Sequence, residues 1–312
     1  MTQTSKKAII KTGFCVSYDW TMLRKSLTRV YPYADVICLA LDKNRRSWAG
    51  NPYHFDNQAF YDFVKQQDTE QKIILIEEDF ALTHLNSREN GNRHRMRIAE
   101  VMGKGGWHIQ VDSDEYFLDF KKFTDFLRKI NPNPTGNEKP LNVCANWISL
   151  IKKVNEGFLY VDFLNKMPEN APFASNAPQY ERARHNGHFN VLSPFYVIHE
   201  TWSRSDEELW FKINNWGHSS EELETRKSRE SYYALWKALD RYNYQYIRDF
   251  HPASAPTWPA LGFCPGQNID EFIQNFETPA YPLSNWQLKL QNNRNVARVR
   301  ALWAKIFKTQ KP

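Results

Sequence analysis

The sequence predicts an α/β fold, with a sheet flanked by helices in its first two thirds and a mostly helical C-terminal region. Three observations carry this. Buried-strand patterns alternate with helical patterns from Lys7 to Phe120, the rhythm of βαβ units on a parallel sheet. One of these strands, Trp107 to Val111, runs directly into Asp112, Asp114 and Glu115. After residue 203 the strand patterns give way to helical ones, so the chain divides into 1–203 and 204–312.

Lys7 to Ser17 reads as the first strand, and Met22, Leu23, Leu27 and Val30 space out a helix that Tyr31-Pro32-Tyr33 ends. Val36 to Leu41 is a second buried strand, followed by a polar loop from Asp42 to Tyr53. Phe55 to Lys65 reads as a helix, Lys72 to Ile76 as a strand, and Asn92 to Met102 as a helix closed by Gly103. After Trp107 to Val111, Phe120 to Ile130 is a helix stopped by Asn131-Pro132-Asn133-Pro134. Leu141 to Trp147, Phe158 to Phe163 and Ser193 to His199 are strands. Asn165 to Asn190, rich in Pro, Asn, Arg and His, reads as a long functional loop or lid. Ser205 to Asn214, Ser220 to Arg241 and Trp286 to Lys308 are helices, and Pro252 to Gly266 is Pro-rich.

Composition narrows the function classes. Of 312 residues, 41% are hydrophobic and 24% charged, an ordinary soluble balance. The net charge of +6 favours anionic partners. Cys15, Cys38, Cys144 and Cys264 form no Cys-x-x-Cys pair, which argues against a zinc ribbon, and Cys15, Cys38 and Cys144, within apolar runs, read as buried free thiols in a reducing compartment. No long apolar segment marks a signal peptide or a membrane span, so a cytoplasmic location is expected. The run from Asp112 is not a calcium loop, because Phe117 and Phe123 stand where Gly and Glu are needed. No Walker-type phosphate loop occurs.

Aspartate disfavours strand interiors, so Asp112 marks a strand's carboxyl end, the edge where open α/β sheets bind ligands. An Asp-x-Asp pair there suits a hard divalent cation with coordination sites left for phosphate oxygens. The plainer reading is an acidic surface turn. On that plainer reading of the loops, Asp42 is a strand-end turn residue, His199 a core histidine, and Arg204 with Lys212 a solvated face.

The first 120 residues resemble the nucleotide-binding half of GT-A glycosyltransferases, especially family-2-like bacterial enzymes. The residues that match are Ser17-Tyr18-Asp19 after the first strand, Ala34 to Asp42 as the second, Arg95 and Ala99 on a helix, and then WHIQVDSDEYF from Trp107. Val197 to His218 is similar to the segment of such enzymes in which a His ends a strand and a basic helix follows. The resemblance covers residues 7–218 and implies a Rossmann-like mixed sheet flanked by helices. It also implies a nucleotide-sugar donor, UDP-linked, a glycan or lipid-linked acceptor, and a role in bacterial surface polysaccharide synthesis with inversion. Ser17 and Asp42 would hold the nucleoside, with Arg95 beside it. Asp112 and Asp114 would bridge Mn²⁺ or Mg²⁺ to the diphosphate, and His199 would complete the metal site. Ser205 and Glu208 form a capping box that starts a helix at Asp206, so Arg204 at its entrance and Lys212 two turns on could reach the diphosphate.

A carboxylate would deprotonate the acceptor, and Glu200, Asp162, Glu169 and Glu181 are the candidates. Glu200 is chosen because it adjoins His199, although strand alternation would turn it the other way. Two other classes remain open: a nucleic-acid-binding protein, suggested by charge and aromatics, and a metal-dependent phosphodiesterase or nuclease. Against the former, basic residues are spread along the chain except at its C-terminus. There, 292–311 reads as a basic helix with aromatic anchors, suited either to peripheral contact with the inner face of a membrane or to docking on the domain.

Overall fold

The computed structural model describes residues 8–216, 223, 225–252 and 254–308. His218 and Ser220, which end one motif and begin one expected helix, lie outside the described residues, as do Lys7 and Lys311. Main-chain elements alternate as the sequence indicates: β1 (Ile10–Val16), α1 (Trp20–Val30), β2 (Val36–Asp42), α2 (Asn57–Gln67), β3 (Ile73–Glu78), α3 (Ser87–Met102), β4 (Trp107–Asp112), β5 (Glu115–Phe117) and α4 (Phe120–Ile130). Then follow β6 (Leu141–Val154), β7 (Gly157–Asp162), β8 (Asn170–Ser175), β9 (Phe189–Val191), β10 (Tyr196–His199), α5 (Asp206–Asn215) and α6 (Arg226–Ala238). The chain closes with β11 (Ala260–Pro265), α7 (Ile269–Asn275), α8 (Asn285–Gln291) and α9 (Arg294–Lys308).

The result is an α/β protein with a mixed central sheet flanked by helices, compatible with a Rossmann-like fold. The sheet runs β11-β7-β6-β8-β4-β1-β2-β3. β3, β2, β1 and β4 are mutually parallel, and β8 then pairs antiparallel with both β4 and β6. β10 lies parallel to β6 and antiparallel to β5, which brings His199 opposite Glu115. Both faces of β1, β2 and β4 are covered, which is why β2 reads as a continuous apolar run and the polar residues Lys11, Thr12, His108 and Gln110 of β1 and β4 are buried. On one face Phe14, Leu39 and Val111 pack with Leu23, Leu27 and Phe123. On the other, Cys15, Cys38 and Ala40 meet Phe80, Ile98 and Met102. Gly13 permits that approach, since a Cβ there would stand 2.3 Å from Ile98 Cγ2.

Four sequence expectations shift. α3 begins at Ser87, five residues before Asn92, because Asn86 and Glu89 form a reciprocal capping box. The expected loop 165–190 contains β8 and β9. Part of the Pro-rich stretch 252–266 becomes β11, which pairs with β7, so the region after 204 adds an edge strand to the same sheet. The expected helix 286–308 is two helices. Asn292 spends its side chain on both backbone groups of Leu192, and Asn293 Oδ1 accepts from the amides of Asn295 and Val296 to start α9. Among the described residues, no helix is long and apolar enough to cross a membrane.

Candidate functional site

A cavity of about 680 Å³ opens at the carboxyl ends of β1 and β4, within the range of small-molecule sites. Ser17, Arg95, Asp112, Asp114, His199 and Lys212 all line it. Arg204 reaches the same floor through Asp114. Thus seven of the nine sequence-predicted site residues meet in one place, from elements as distant in sequence as β1 and α5.

The floor is built on charge. Asp114 lies in the turn that follows β4 and is buried. Its Oδ2 accepts from Arg204 Nη2 at 2.6 Å and Lys212 Nζ at 2.8 Å. Burial opposes its charge, but Lys212, His199 and Arg204 outweigh burial and hold it far below the usual carboxylate range. Arg204 also donates to Asp19 Oδ2 at 3.1 Å. Asp112 is the more open carboxylate, with 31% of its side chain exposed, and it lies 3.3 Å from Arg95 and 3.1 Å from Arg184. Burial again opposes its charge, and Arg184 and Arg95 keep it below the ordinary range. Lys212, on the buried face of α5, is therefore not on a solvated face; its ammonium is committed to Asp114.

Arg184, paired with Glu115 of the acidic run, is a part of the site that no sequence motif indicated. Arg184 comes from the segment between β8 and β9 and donates to Glu115 Oε1 and Oε2 at 2.8 and 2.5 Å. Glu115 also accepts from Trp147 Nε1 and from the amide of Asp112, both at 2.8 Å. Burial pushes Glu115 up to about 7 against the pull of Arg184. The Arg and His content of 165–190 marked the segment, but nothing local in sequence marked which Arg turns inward. The floor thus holds Asp19, Asp112, Asp114 and Glu115 against Arg95, Arg184, Arg204 and Lys212. Four acids meet four bases there, and Arg95, Arg184 and Lys212 present cationic groups on the cavity lining to an anionic ligand.

His199 fits a cation-binding role. Burial lowers its pKa to about 4 despite Asp114, so the ring is neutral at pH 7 with a lone pair to offer. It packs on Trp147, and its Nε2 stands 3.7 Å from Asp114 Oδ1, the oxygen that Arg204 and Lys212 leave untouched. Two ligands each about 2.1 Å from one shared ion lie at most about 4.2 Å apart, so this spacing suits a common divalent cation. Among the described residues no group of three His, Cys, Asp or Glu side chains forms a cage for an ion. Any cation here would need ligand oxygens to complete its shell.

Two expected residues lie elsewhere. Asp42 does not line the cavity, because its carboxylate is consumed by the backbone. Oδ1 accepts from the amides of Asn44 and Arg46 and Oδ2 from those of Phe80 and Ala81, which fixes the turns after β2 and β3. Glu200 does not line it either. Alternation past β10 turns it to the opposite side, where it accepts from Tyr116 Oη at 2.7 Å. Burial raises it to about 7, but it faces no open space of the cavity. Of the other carboxylate candidates, Glu169 alone lines the cavity. It precedes β8, accepts from Trp258 Nε1 at 2.8 Å, and is raised by burial. Trp48, Trp147, Trp202, Trp216 and Trp258 form much of the wall. No protein-family model matches the chain, and no curated protein matches it either.

Proposed function

We propose that this chain is a glycosyltransferase of GT-A architecture, moving a sugar from a nucleoside-diphosphate donor to a hydroxyl of a glycan or lipid-linked acceptor. The observation that carries the reading is the Asp-x-Asp at the end of β4, on the floor of an aromatic-walled cavity, with His199, Arg204 and Lys212 converging on Asp114. Arg95, Arg184 and Lys212 on the cavity lining suit a diphosphate, and indole walls suit the apolar faces of sugar rings. In this reading the donor's diphosphate lies over Asp112 and Asp114, with its nucleoside toward Ser17 and the α3 side of the cavity.

Asp114 Oδ1 and His199 Nε2 would hold Mn²⁺ or Mg²⁺, with donor oxygens completing its shell, and the cation would supply positive charge to the leaving diphosphate; the nitrogen ligand favours Mn²⁺. Arg95, Arg184, Arg204 and Lys212 add fixed positive charge that needs no reorganisation during reaction. Glu169 takes the role expected of Glu200. Its carboxylate accepts the proton of the acceptor hydroxyl as that oxygen attacks the anomeric carbon and the bond to the diphosphate breaks. Burial lifts its proton affinity toward that task, and Trp258 Nε1–H fixes one of its oxygens. Attack opposite the leaving group inverts the anomeric centre, in keeping with a bacterial surface-glycan enzyme of this type.

A thermal-shift panel tests the reading. A transferase is stabilised by UDP with Mn²⁺, by about 2.7 kcal/mol at a hundredfold excess over Kd. Stabilisation by an oligonucleotide in EDTA, with none from nucleoside diphosphates, would instead assign a nucleic-acid binder.

A further inference from the structure

The chain's positive charge is not distributed. Residues 285–312 contain Lys289, Arg294, Arg298, Arg300, Lys305, Lys308 and Lys311, and no Asp or Glu. These seven cations leave 34 Lys and Arg against 35 Asp and Glu in the rest of the chain. The net +6 is therefore a property of this terminal segment, and the remainder is close to neutral.

The same segment exposes its apolar side. Trp286 is 70% exposed on α8, and Val299, Leu302 and Trp303 are 53%, 60% and 59% exposed on α9. Among the described residues none of these joins a buried cluster. α9 meets the body through its first turn. Arg294 donates to the carbonyls of Lys139 and Pro140 and lies over the Phe189 ring at 5.0 Å, while Val296 and Ala297 are half-buried. Beyond that turn residues 298–303 are exposed, with Arg300 donating to Gln291 and to the carbonyl of Leu290 on α8. Val296, Val299 and Trp303 recur at three- and four-residue steps, so they share one face, while Arg294 and Arg298 fall on the other by the same spacing.

We propose that α8 and α9 dock this protein on an anionic lipid surface, α9 lying in the interface plane with its apolar stripe inserted. Charge decides among occupants. A second copy would bring a second acid-free cationic helix against the first and be repelled. An acidic lipid headgroup layer attracts the whole segment, and its acyl boundary accepts Val, Leu and Trp side chains. Nucleic acid would satisfy the cations but would leave the aliphatic stripe in water. This inference stands on the terminal segment alone and does not depend on the cavity's chemistry.

Flotation of the full chain with vesicles tests it. The protein should float with phosphatidylcholine–phosphatidylglycerol vesicles at low salt and stay at background with phosphatidylcholine alone. Raising salt roughly tenfold should release most of it, since the attraction is screened. The double variant Val299→Asp/Trp303→Asp should lose binding by about tenfold or more, because two inserted side chains are replaced by charges. Both positions are exposed, so its melting temperature should stay within about 1 °C of the parent's. Absence of flotation on the anionic vesicles, or equal flotation of the double variant, overturns the proposal. So does tight binding of a single-stranded RNA oligomer that the double variant retains, since the basic face would then serve nucleic acid.

Discussion

Asp114→Asn probes the charge arrangement on which the site rests. Read from sequence, Asp114 is an open strand-end ligand, and its amide should leave the melting temperature of the ligand-free protein nearly unchanged. The structure reverses that expectation. Asp114 Oδ2 is shared by Arg204 at 2.6 Å and Lys212 at 2.8 Å, with all three side chains buried. After substitution Arg204 keeps Asp19 at 3.1 Å, whereas Lys212 has no other carboxylate within salt-bridge distance among the described residues. One buried ammonium is left facing an amide and a guanidinium. Breaking a buried pair from one side costs about 3–5 kcal/mol. At roughly 2.1 cal/mol/K of unfolding entropy per residue, a chain of this length loses about 1.5 °C per kcal/mol, so the melting temperature should fall by about 5–8 °C.

The sign of the pH dependence follows. Burial and Arg204 already hold Lys212 below the usual lysine range, and Asp114 pulls it back up. Without Asp114 it falls further. A depressed ammonium penalises the fold fully below its folded pKa, and the penalty fades as pH rises from there toward the unfolded value near 10.4. The deficit should therefore be larger near pH 6 than near pH 9. Adding Lys212→Met removes the stranded charge and should recover much of the loss. Scanning calorimetry in EDTA reads all three proteins. An Asp114→Asn protein that melts within about 1 °C of the parent would refute the arrangement.

Three further outcomes are expected. Glu169→Gln should lower kcat by about 10²–10⁴-fold while leaving donor affinity intact. Because burial raises Glu169, the acid limb of the parent's pH–rate profile should lie above the ordinary carboxylate range and vanish in the variant, as steady-state rates across pH would reveal. Asp42→Asn strips an acceptor from buried amides and should cost about 1–3 kcal/mol without changing UDP affinity, a split that denaturation and calorimetry together resolve. Gly13→Ala drives a Cβ to 2.3 Å from Ile98 Cγ2 and should cost about 1–3 kcal/mol by urea denaturation, part of it recovered by Ile98→Ala.

What could be read in advance followed from local physics. β2 is a continuous apolar run because both of its faces are covered, and β2 and β4 end on Asp42 and Asp112. The Ser205 capping box placed α5 correctly, and α5 in turn placed Lys212. Asp42 misled because a strand-end Asp looks the same whether it meets a ligand or four backbone amides. Glu200 misled by adjacency in sequence, although alternation already pointed it away. Arg184 was hidden because its partner Glu115 is 69 residues away, and only β8, folding back between β4 and β6, joins them. The break between α8 and α9 depended likewise on Asn292 meeting Leu192 across the fold.

The central claim is that the cavity floor binds a nucleoside diphosphate together with a divalent cation. Isothermal calorimetry of the full chain with UDP, in Mn²⁺ and in EDTA, addresses it most directly. The account predicts micromolar affinity with Mn²⁺ and at least about a tenfold loss in EDTA, a difference of about 1.4 kcal/mol or more. His199→Ala should weaken the Mn²⁺-dependent part more than a Mg²⁺-dependent one. Equal UDP affinity with and without the cation, or no UDP binding under either condition, would contradict it.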